Sequence, residues 1–271
     1  MNEQISVIMA VYNCEGTIKK AIDSIIAQTY ENWIMIICDD GSTDGTWAIL
    51  QHYLEMYPNK FLLLKNDANR KLPYSLNRCL EHVSTELVAR MDGDDWSAPN
   101  RFEKQLSFLR THREYDLVGT GVTVSNGEQK IASIIKKAVP TKESMLKQNA
   151  FSHATIVTYK RVYDALGGYS LDPTVLRVED VDLWCRFLAK GFKGYNLSEE
   201  LYTILEDVNA VKRRTFRARV NSAKTRCRGY RLMGFRGIVC YTPYLSVLKS
   251  CVPTSLYRVA HMWKLARSNN T

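Results

Sequence analysis

The first 120 residues alternate between two kinds of hydrophobic pattern. Uninterrupted apolar runs such as Ser6–Val11 and Trp33–Cys38 are typical of parallel strands that are buried on both faces. Between these runs, apolar residues recur every three or four positions, as at Ile18, Ile22 and Ile25, which predicts amphipathic helices. The regular succession of strand and helix predicts an α/β fold with a mostly parallel sheet and right-handed crossovers.

The same patterns locate the individual elements. Strands are predicted at Ser6–Val11, Trp33–Cys38, Phe61–Leu64 and Leu87–Met91, and helices after Asn13, over Thr43–Met56, from Pro73 and from Pro99. Beyond residue 116 the pattern is less regular. It predicts a hairpin within Leu117–Ile135, turning at Asn126-Gly127, then a strand at Thr155–Tyr159 and a helix over Val181–Leu188.

Charge divides the chain more clearly than hydrophobicity does. The net charge is +9, yet residues 208–271 contain 14 basic and no acidic residues, and residues 1–207 carry 23 basic against 28 acidic residues. Two regions of opposite net charge suggest two different functions. We therefore predict an α/β domain at 1–207, followed by a basic, helical C-terminal region at 208–271.

The end of the basic region has the pattern of a surface-binding helix. In Ser255–Arg267, apolar residues including Trp263 recur at helical spacing beside Arg258 and Lys264. Such a helix binds an anionic membrane surface, and each basic residue near it contributes about 1 kcal/mol. The alternative is a helical subdomain that packs on the α/β domain and keeps its charges solvated. Nucleic acid is not an expected partner, because no nucleic-acid-binding motif accompanies the charge.

Other features of the chain indicate its location in the cell. No run of 18 apolar residues is present, and the N-terminus reads as a strand rather than as a signal peptide. Seven scattered cysteines in no metal-binding spacing suit the reducing cytosol. The expected location is therefore cytoplasmic, peripheral on the inner face of the cell membrane.

Two acidic clusters follow buried strands. Asp39–Asp44 comes directly after the second strand and Asp92–Asp95 directly after the fourth. Ligands of parallel sheets bind outside the carboxyl ends of the strands, where these clusters are expected to meet. Either cluster alone is an ordinary turn sequence. Together they would repel each other unless they bind a cation, and an Asp-x-Asp turn offers the oxygen ligands that Mg²⁺ or Mn²⁺ takes.

Four motifs in order resemble a known family. They are Ser6–Asn13, Asp39–Asp44, Ala89–Asp95 and Val178–Trp184. In these motifs the chain resembles family 2 glycosyltransferases with the GT-A fold, over about residues 5 to 205. Pro99–Gln105 resembles the subgroup that builds bacterial O-antigen and exopolysaccharide repeat units. The resemblance implies a Rossmann-like GT-A sheet flanked by helices, to which the basic helical extension is appended.

The resemblance also implies roles for individual residues. Asp39 and Asp40 would contact the nucleoside of a nucleotide sugar. Asp92 and Asp94 would hold Mn²⁺ or Mg²⁺, with Asp92 and Asp95 also at the donor. Arg70 and Asn77 are further candidates for the donor side, since cations suit a diphosphate, although a solvated loop is the simpler interpretation. His153 either touches substrate or is a hydrogen-bonded structural histidine.

The resemblance implies that Asp180 is the catalytic base, and Glu179 is the next candidate. Inversion needs one base to take the proton of the acceptor hydroxyl, while a metal stabilises the departing nucleotide diphosphate. At the start of a helix, backbone N–H groups would keep such a carboxylate ionised. The alternative is that Asp180 only caps the helix, since Asp is favoured at that position.

The expected function is inverting transfer of a hexose from a UDP-sugar to a polyprenyl-diphosphate-linked oligosaccharide. One rival is a sugar nucleotidyltransferase, but the Gly-rich loop of that class is missing, because residues 10–16 read Ala-Val-Tyr-Asn-Cys-Glu-Gly. A second rival is a non-catalytic membrane or nucleic-acid adaptor on a degenerate transferase fold. The intact Asp92, Asp94 and Asp180 argue against that adaptor.

Overall fold

A computed structural model describes residues 3–206 and 216–250 of the chain. Its strands are β1 (Ile5–Val11), β2 (Trp33–Asp39), β3 (Phe61–Lys65), β4 (Leu87–Asp92), β5 (Trp96–Ser97), β6 (Leu117–Ser125), β7 (Lys130–Ile134), β8 (Val157–Tyr159) and β9 (Gly194–Leu205). Its α-helices are α1 (Ile18–Ile26), α2 (Thr46–Met56), α3 (Leu72–Glu81), α4 (Arg101–Thr111), α5 (Lys142–Met145), α6 (Lys160–Leu166), α7 (Glu179–Ala189), α8 (Phe216–Leu232) and α9 (Leu245–Ser250).

The described strands form one sheet in the order β3-β2-β1-β4-β8-β6-β9-β5, with β7 paired to β6. The first four strands in this order are parallel, and their pairing sets Val11 beside Asp39 and Ala10 beside Asp92. The register therefore brings both acidic clusters to the same edge of the sheet. The predicted α/β class is confirmed, and the first four strands are parallel as expected; beyond them four strand pairs are antiparallel, so the sheet is mixed rather than mostly parallel.

The parallel strands are buried as their apolar runs predicted. Ile5, Val7, Ile8 and Met9 of β1 are fully inaccessible, and helices α1, α3 and α4 pack their apolar faces around the sheet. At about 25 cal/mol per Å² of buried apolar surface, this continuous core is the main stabilising contribution to the α/β part.

Two helices begin at residues other than the predicted ones. Helix α2 begins at Thr46 rather than Thr43, because the Asp44 carboxylate accepts the Thr46 N–H at 3.0 Å and holds the preceding residues in a turn. Helix α7 begins at Glu179, two residues before the predicted start, and its first turn carries three carboxylates. Negative charge at this end is favoured by the helix dipole.

Strand β9 is the largest element that the hydrophobic pattern did not predict. It runs parallel to β6 over Gly194–Leu205 and antiparallel to the two-residue strand β5. Its sequence includes Asn196, Glu199 and Glu200, which interrupt the alternation of a half-buried strand. Irregular pairing near Gly119 and Gly121 of β6 accommodates these polar residues.

The described part of the basic region packs on the α/β part. Helix α8 lies against α7 so closely that a Cβ atom on Gly229 would be 2.4 Å from Cys185 Sγ. Arg228 also pairs with Asp172 at 2.6 Å and with Asp182 at 3.1 Å. The predicted membrane helix at 255–267 lies outside the described residues. So do residues 207–215, and the boundary between 207 and 208 stays a prediction.

Across residues 3–206 and 216–250, no helix has both the length and the apolar character needed to cross a bilayer.

Candidate active site

The loops that follow β1 and β2 are bonded to each other. Asn13 Oδ1 accepts the Thr43 N–H at 2.9 Å, and Asp44 Oδ2 accepts the Glu15 N–H at 3.1 Å. Glu15 Oε2 in turn accepts the Gly45 N–H at 2.7 Å. These reciprocal bonds hold the carboxyl ends of the two strands together as one wall of the site.

Asp40 organises the neighbouring loop through four hydrogen bonds. Its Oδ1 atom accepts from Asn66 Nδ2 at 2.7 Å, from the Arg70 N–H at 2.8 Å and from Ser75 Oγ at 2.9 Å. Its Oδ2 atom accepts the Lys71 N–H at 2.8 Å. The carboxylate of Asp40 thus fixes the path of residues 66–71, and its predicted contact with a nucleoside remains a prediction.

Asp39 lies beside Asp40 and is fully buried. Its Oδ1 atom accepts from the Ser42 N–H and hydroxyl, while Oδ2 has no hydrogen-bond partner among residues 3–206 and 216–250. Gly41 is needed in this turn, because its φ is +76° and a Cβ atom would be 2.9 Å from the carbonyl carbon of Ala68. The two Asp residues therefore differ, since only Asp39 keeps an unpartnered oxygen.

A cavity of about 430 Å³ opens next to this loop. It is lined by Arg70, whose guanidinium lies 5.0 Å from the centre of the Tyr74 ring, and by Arg78, which donates to the Lys65 carbonyl. Aromatic and cationic groups in one cavity suit a planar base and a phosphate. Arg70 thus lines this cavity, and its contact with the donor remains a prediction.

The turn after β4 brings three carboxylates together. Oxygens of Asp92, Asp94 and Asp95 all lie within 4.8 Å of one another. Asp95 is buried and accepts the Leu205 N–H of β9 at 3.1 Å. Burial, followed by the charges of Asp92 and Asp94, raises the pKa of Asp95 to about 8. This crowding of negative charge is the arrangement that a divalent cation relieves.

Strand β9 and the residue that precedes helix α1 both form hydrogen bonds with this turn. The hydroxyl of Tyr202 accepts the Asp92 N–H at 3.1 Å, and Thr17 Oγ1 donates to the Gly93 carbonyl at 2.9 Å. A Cβ atom on Gly93 would lie 2.7 Å from Cγ1 of Val11, so only glycine lets the turn pack this closely on β1. Tyr202 belongs to no motif, and sequence reasoning did not find it.

Arg90 is a buried cation beneath the site. It forms an ion pair with Asp92, and its side chain is only 2% exposed. Burial opposes its charge, but Asp92 and other neighbouring groups outweigh that effect and raise the pKa of Arg90. The same guanidinium lowers the pKa values of Glu179 and Asp180 relative to burial alone. Arg90 is therefore in direct contact with Asp92, and its positive charge also favours the ionised forms of Glu179 and Asp180.

The candidate base lies in the first turn of α7. Asp180 Oδ1 accepts the Val181 N–H at 2.7 Å, and Oδ2 accepts from Asn149 Nδ2 at 2.9 Å. The N-cap residue is Val178, so Asp180 does not occupy the N-cap position, although it accepts one backbone N–H of the first turn. Burial raises the pKa of Asp180 above its ordinary value. Burial, with repulsion from Asp180, raises the pKa of Glu179 to about 6.

Asn149 links Asp180 to the basic region. Its Oδ1 atom accepts from Arg226 Nη2 of α8 at 2.9 Å, so the chain of bonds runs from Arg226 through Asn149 to Asp180. These residues line a cavity of about 970 Å³ between the starts of α3 and α7 and the face of α8. No sequence motif marked Asn149 or Arg226, because their contacts span 31 and 77 positions of the chain.

The side chains of three other residues, Asn77, His153 and Trp184, have contacts that support the fold. Both amide atoms of Asn77 bond the backbone of Tyr169, at 2.8 and 2.9 Å, so the side chain holds the turn after α6. His153 bonds the Tyr169 hydroxyl at 2.8 Å, and burial, aided by Arg90, lowers the pKa of His153. Trp184 is buried in the core. A donor contact of Asn77 remains a prediction.

Comparison with known proteins agrees with this geometry. The model of "Glycosyl transferase family 2" matches residues 6–164. A putative glycosyltransferase EpsE of Bacillus subtilis is 44% identical over 220 residues, covering 81% of this chain and 79% of its own. WfaP of Escherichia coli, named as a UDP-Glc:alpha-D-GlcNAc-diphosphoundecaprenol beta-1,3-glucosyltransferase, is 28% identical and covers 72% of this chain and 74% of its own.

The fold has a solved counterpart. The mannosyltransferase PcManGT from Pyrobaculum calidifontis, in complex with GDP-Man and Mn²⁺, superposes with a TM-score of 0.65 at 16% identity. The superposition covers 97% of this chain and 80% of that one. The fold likeness, the family match over 6–164 and the 44% identical relative agree with one another. The chain belongs to glycosyl transferase family 2 and has the GT-A fold.

Proposed function

We propose that the protein is an inverting, metal-dependent hexosyltransferase of bacterial surface polysaccharide synthesis. It transfers a hexose from a UDP-sugar to a saccharide linked to a polyprenyl diphosphate. The relative WfaP, whose printed name includes a UDP-sugar and a diphosphoundecaprenol acceptor, supports this choice of substrates. Matched proteins named for O-antigen synthesis in Escherichia coli and amylovoran synthesis in Erwinia amylovora support the pathway class.

One observation supports this chemistry above the others. Arg90 is buried, pairs with Asp92 and acts electrostatically on both Glu179 and Asp180. In this proposal the carboxylates suited to a metal and the carboxylates suited to a base belong to one site, although 85 positions or more separate them in the chain. A transferase needs both groups around the bond that it forms.

Asp180 acts as the base in this proposal. The acceptor hydroxyl donates to its carboxylate and loses its proton there as the hydroxyl oxygen attacks the anomeric carbon. Bonds from Asn149 and from the Val181 N–H hold the carboxylate in a fixed orientation. Because burial raises the pKa of Asp180, the carboxylate is a stronger proton acceptor than an exposed Asp would be.

Asp92 and Asp94 hold the divalent cation. The fit rests on three carboxylates whose oxygens lie within 4.8 Å of one another. Burial and, after it, the charges of Asp92 and Asp94 raise the pKa of Asp95, so a cation at this turn would be favoured. A bound Mn²⁺ or Mg²⁺ would neutralise the diphosphate of the donor and of the departing nucleotide. Asp95, bonded to β9, positions the turn and lies beside the donor. The Mn²⁺ complex of PcManGT supports this choice of ion.

The nucleoside binds along the loops after β2 and β3. Asp39 keeps one carboxylate oxygen without a partner, and Asp40 shapes the backbone of residues 66–71. Arg70 and Tyr74 line the adjacent cavity of about 430 Å³. The C-terminal helix predicted at 255–267 attaches the protein to the cytoplasmic membrane face, where a lipid-linked acceptor resides.

The decisive experiment combines a donor screen with two matched variants. Nucleotide sugars are offered with Mn²⁺ and a lipid-diphosphate saccharide, and products are identified by mass spectrometry. Asp180→Asn preserves the shape of the side chain but cannot accept the proton. We expect it to lower turnover by about 10²–10⁴-fold while donor binding is retained. Asp164→Asn, at an exposed Asp that pairs with Lys160, is the control and should retain full turnover.

Two outcomes would contradict the proposal. If Asp180→Asn turns over at the rate of Asp164→Asn, Asp180 is not the base, and Glu179 is the next residue to test. If the anomeric configuration of the product matches that of the donor, the mechanism is retaining and the single-base scheme is wrong.

A further inference from the structure

The cavity beside Asp180 has a basic wall that the proposed chemistry does not use. Helix α8 contributes Arg219, Ser222 and Arg226 to this wall. Residues three, four and seven apart share one face of a helix, so these side chains form a row along α8. The row is about 10 Å long, because each residue of an α-helix rises about 1.5 Å.

The two ends of the row differ in the hydrogen bonds that their side chains form. Arg226 bonds Asn149, which bonds Asp180, so this end of the row adjoins the candidate base. At the other end, Arg219 and Ser222 form no side-chain hydrogen bond or ion pair with the residues that the structure describes. Within the described residues, Arg219 and Ser222 therefore line the cavity with side-chain donors that no other side chain or backbone group uses.

Charge decides how a ligand lies in the cavity. Glu179 and Asp180 also line it, and so do the cations Lys71 and Arg177. A phosphate group would be repelled by the two carboxylates, whereas a sugar hydroxyl can donate to them. Arg219 attracts a phosphate group instead. The cavity therefore suits a ligand with a neutral sugar at one end and an anionic group about 10 Å away.

We infer that Arg219 and Ser222 of α8 bind the diphosphate of the acceptor. This inference rests on the proposed function, since it takes the reacting hydroxyl to lie at Asp180. The guanidinium forms charge-assisted hydrogen bonds to phosphate oxygens, and the Ser222 hydroxyl adds a neutral one. The length of the row leaves space for a sugar between Asp180 and the diphosphate. Part of the basic region thus belongs to the substrate site.

Binding of a simple alkyl diphosphate tests this site without turnover. Decyl diphosphate is titrated into the full chain by calorimetry in EDTA, so that binding through a metal at Asp92 and Asp94 is excluded. We expect Arg219→Gln to weaken binding by about tenfold or more, and Ser222→Ala by about threefold to fivefold. Arg217→Gln is the matched control, because Arg217 is exposed on the same helix and does not line the cavity.

A second arm separates the acceptor diphosphate from the phosphate of a lipid headgroup. Vesicles of phosphatidylglycerol are titrated with the same variants, and Arg219→Gln should bind them like the parent. Equal losses for vesicles and for decyl diphosphate would show a general anionic surface and overturn the inference. Parent-like diphosphate binding by Arg219→Gln, or an equal loss in Arg217→Gln, would overturn it as well.

Failure of this inference is distinguishable from failure of the proposed function. The binding assay needs neither donor nor metal nor turnover, so its outcome concerns the α8 row alone. If the parent binds decyl diphosphate no better than the uncharged decyl glucoside, the diphosphate site is wrong even when sugar transfer is observed. If no nucleotide sugar supports transfer, the proposed function fails, whatever the row binds.

Discussion

Replacement of Glu179 by glutamine measures how much the ionised Glu179 carboxylate destabilises the fold. Glu179 Oε2 is buried without a hydrogen-bond partner, and burial, with repulsion from Asp180, raises the pKa of Glu179 from 4.5 to about 6. A carboxylic acid with a raised pKa in the folded state is harder to ionise there than in the unfolded chain. The loss of unfolding free energy caused by ionising Glu179 in the folded state is therefore absent well below pH 4.5 and approaches its full size above pH 6.

The size of the effect follows from the shift. With a difference of about 1.5 pKa units, ionisation of Glu179 lowers the free energy of unfolding by about 2 kcal/mol at pH 7.5. At pH 4.5 the penalty is about 0.4 kcal/mol, because Glu179 is mostly protonated in the folded protein. Glu179→Gln cannot ionise and carries no such penalty. Relative to the parent, the variant should therefore gain about 1.6 kcal/mol of unfolding free energy between pH 4.5 and pH 7.5.

Urea titrations of the parent and the variant at both pH values measure this difference. Any cost of burying the amide is the same at both pH values and cancels in the comparison. Glu81→Gln, a change outside the site, serves as the control for general effects of charge. If the stability difference between the Glu179 variant and the parent does not change with pH, Glu179 is not an unpaired buried acid, and the described electrostatics of the site are wrong.

Four further changes test other parts of the molecule. Asp94→Ala should abolish Mn²⁺-dependent donor binding in calorimetry, because the diphosphate loses its countercharge, and unchanged affinity would exclude a metal at this residue. Tyr202→Phe removes the acceptor of the Asp92 N–H and should lower the unfolding free energy by about 1–2 kcal/mol. Gly93→Ala places a methyl group 2.7 Å from Val11 and should cost about 1–3 kcal/mol in the same urea titration. Trp263→Ala should weaken binding to anionic vesicles in sedimentation, whereas unchanged vesicle binding would contradict the predicted membrane helix.

The sequence by itself determined the first half of the fold and the position of the chemistry. Apolar runs of six or seven residues such as those of β1 and β2 are long enough to specify buried parallel strands without knowledge of their partners. Acidic residues that follow such strands must meet at one sheet edge, because parallel strands end on the same side. Asp39 and Asp92 were therefore located by pattern alone, and the β1 register confirms their common edge.

The second half of the site depended on tertiary structure. Strand β9 has no clean alternation, because its polar residues pair with β6 and with side chains such as Lys130 rather than with solvent alone. Its Tyr202 bonds Asp92 across 110 positions of the chain. A local hydrophobic pattern shows which side of an element is buried. It does not show which distant element covers that side.

Helix α8 gives the strongest contrast between the two levels. Composition showed only a basic segment, which favoured a membrane-binding region and left a packed helical subdomain with solvated charges as the alternative. Packing against α7 turns one face of α8 into the core contact at Gly229 and another into the wall that carries Arg219 and Arg226. Which charges reach the cavity was decided by the rotation of α8 about its axis, and that rotation is set by contacts with residues far away in the sequence.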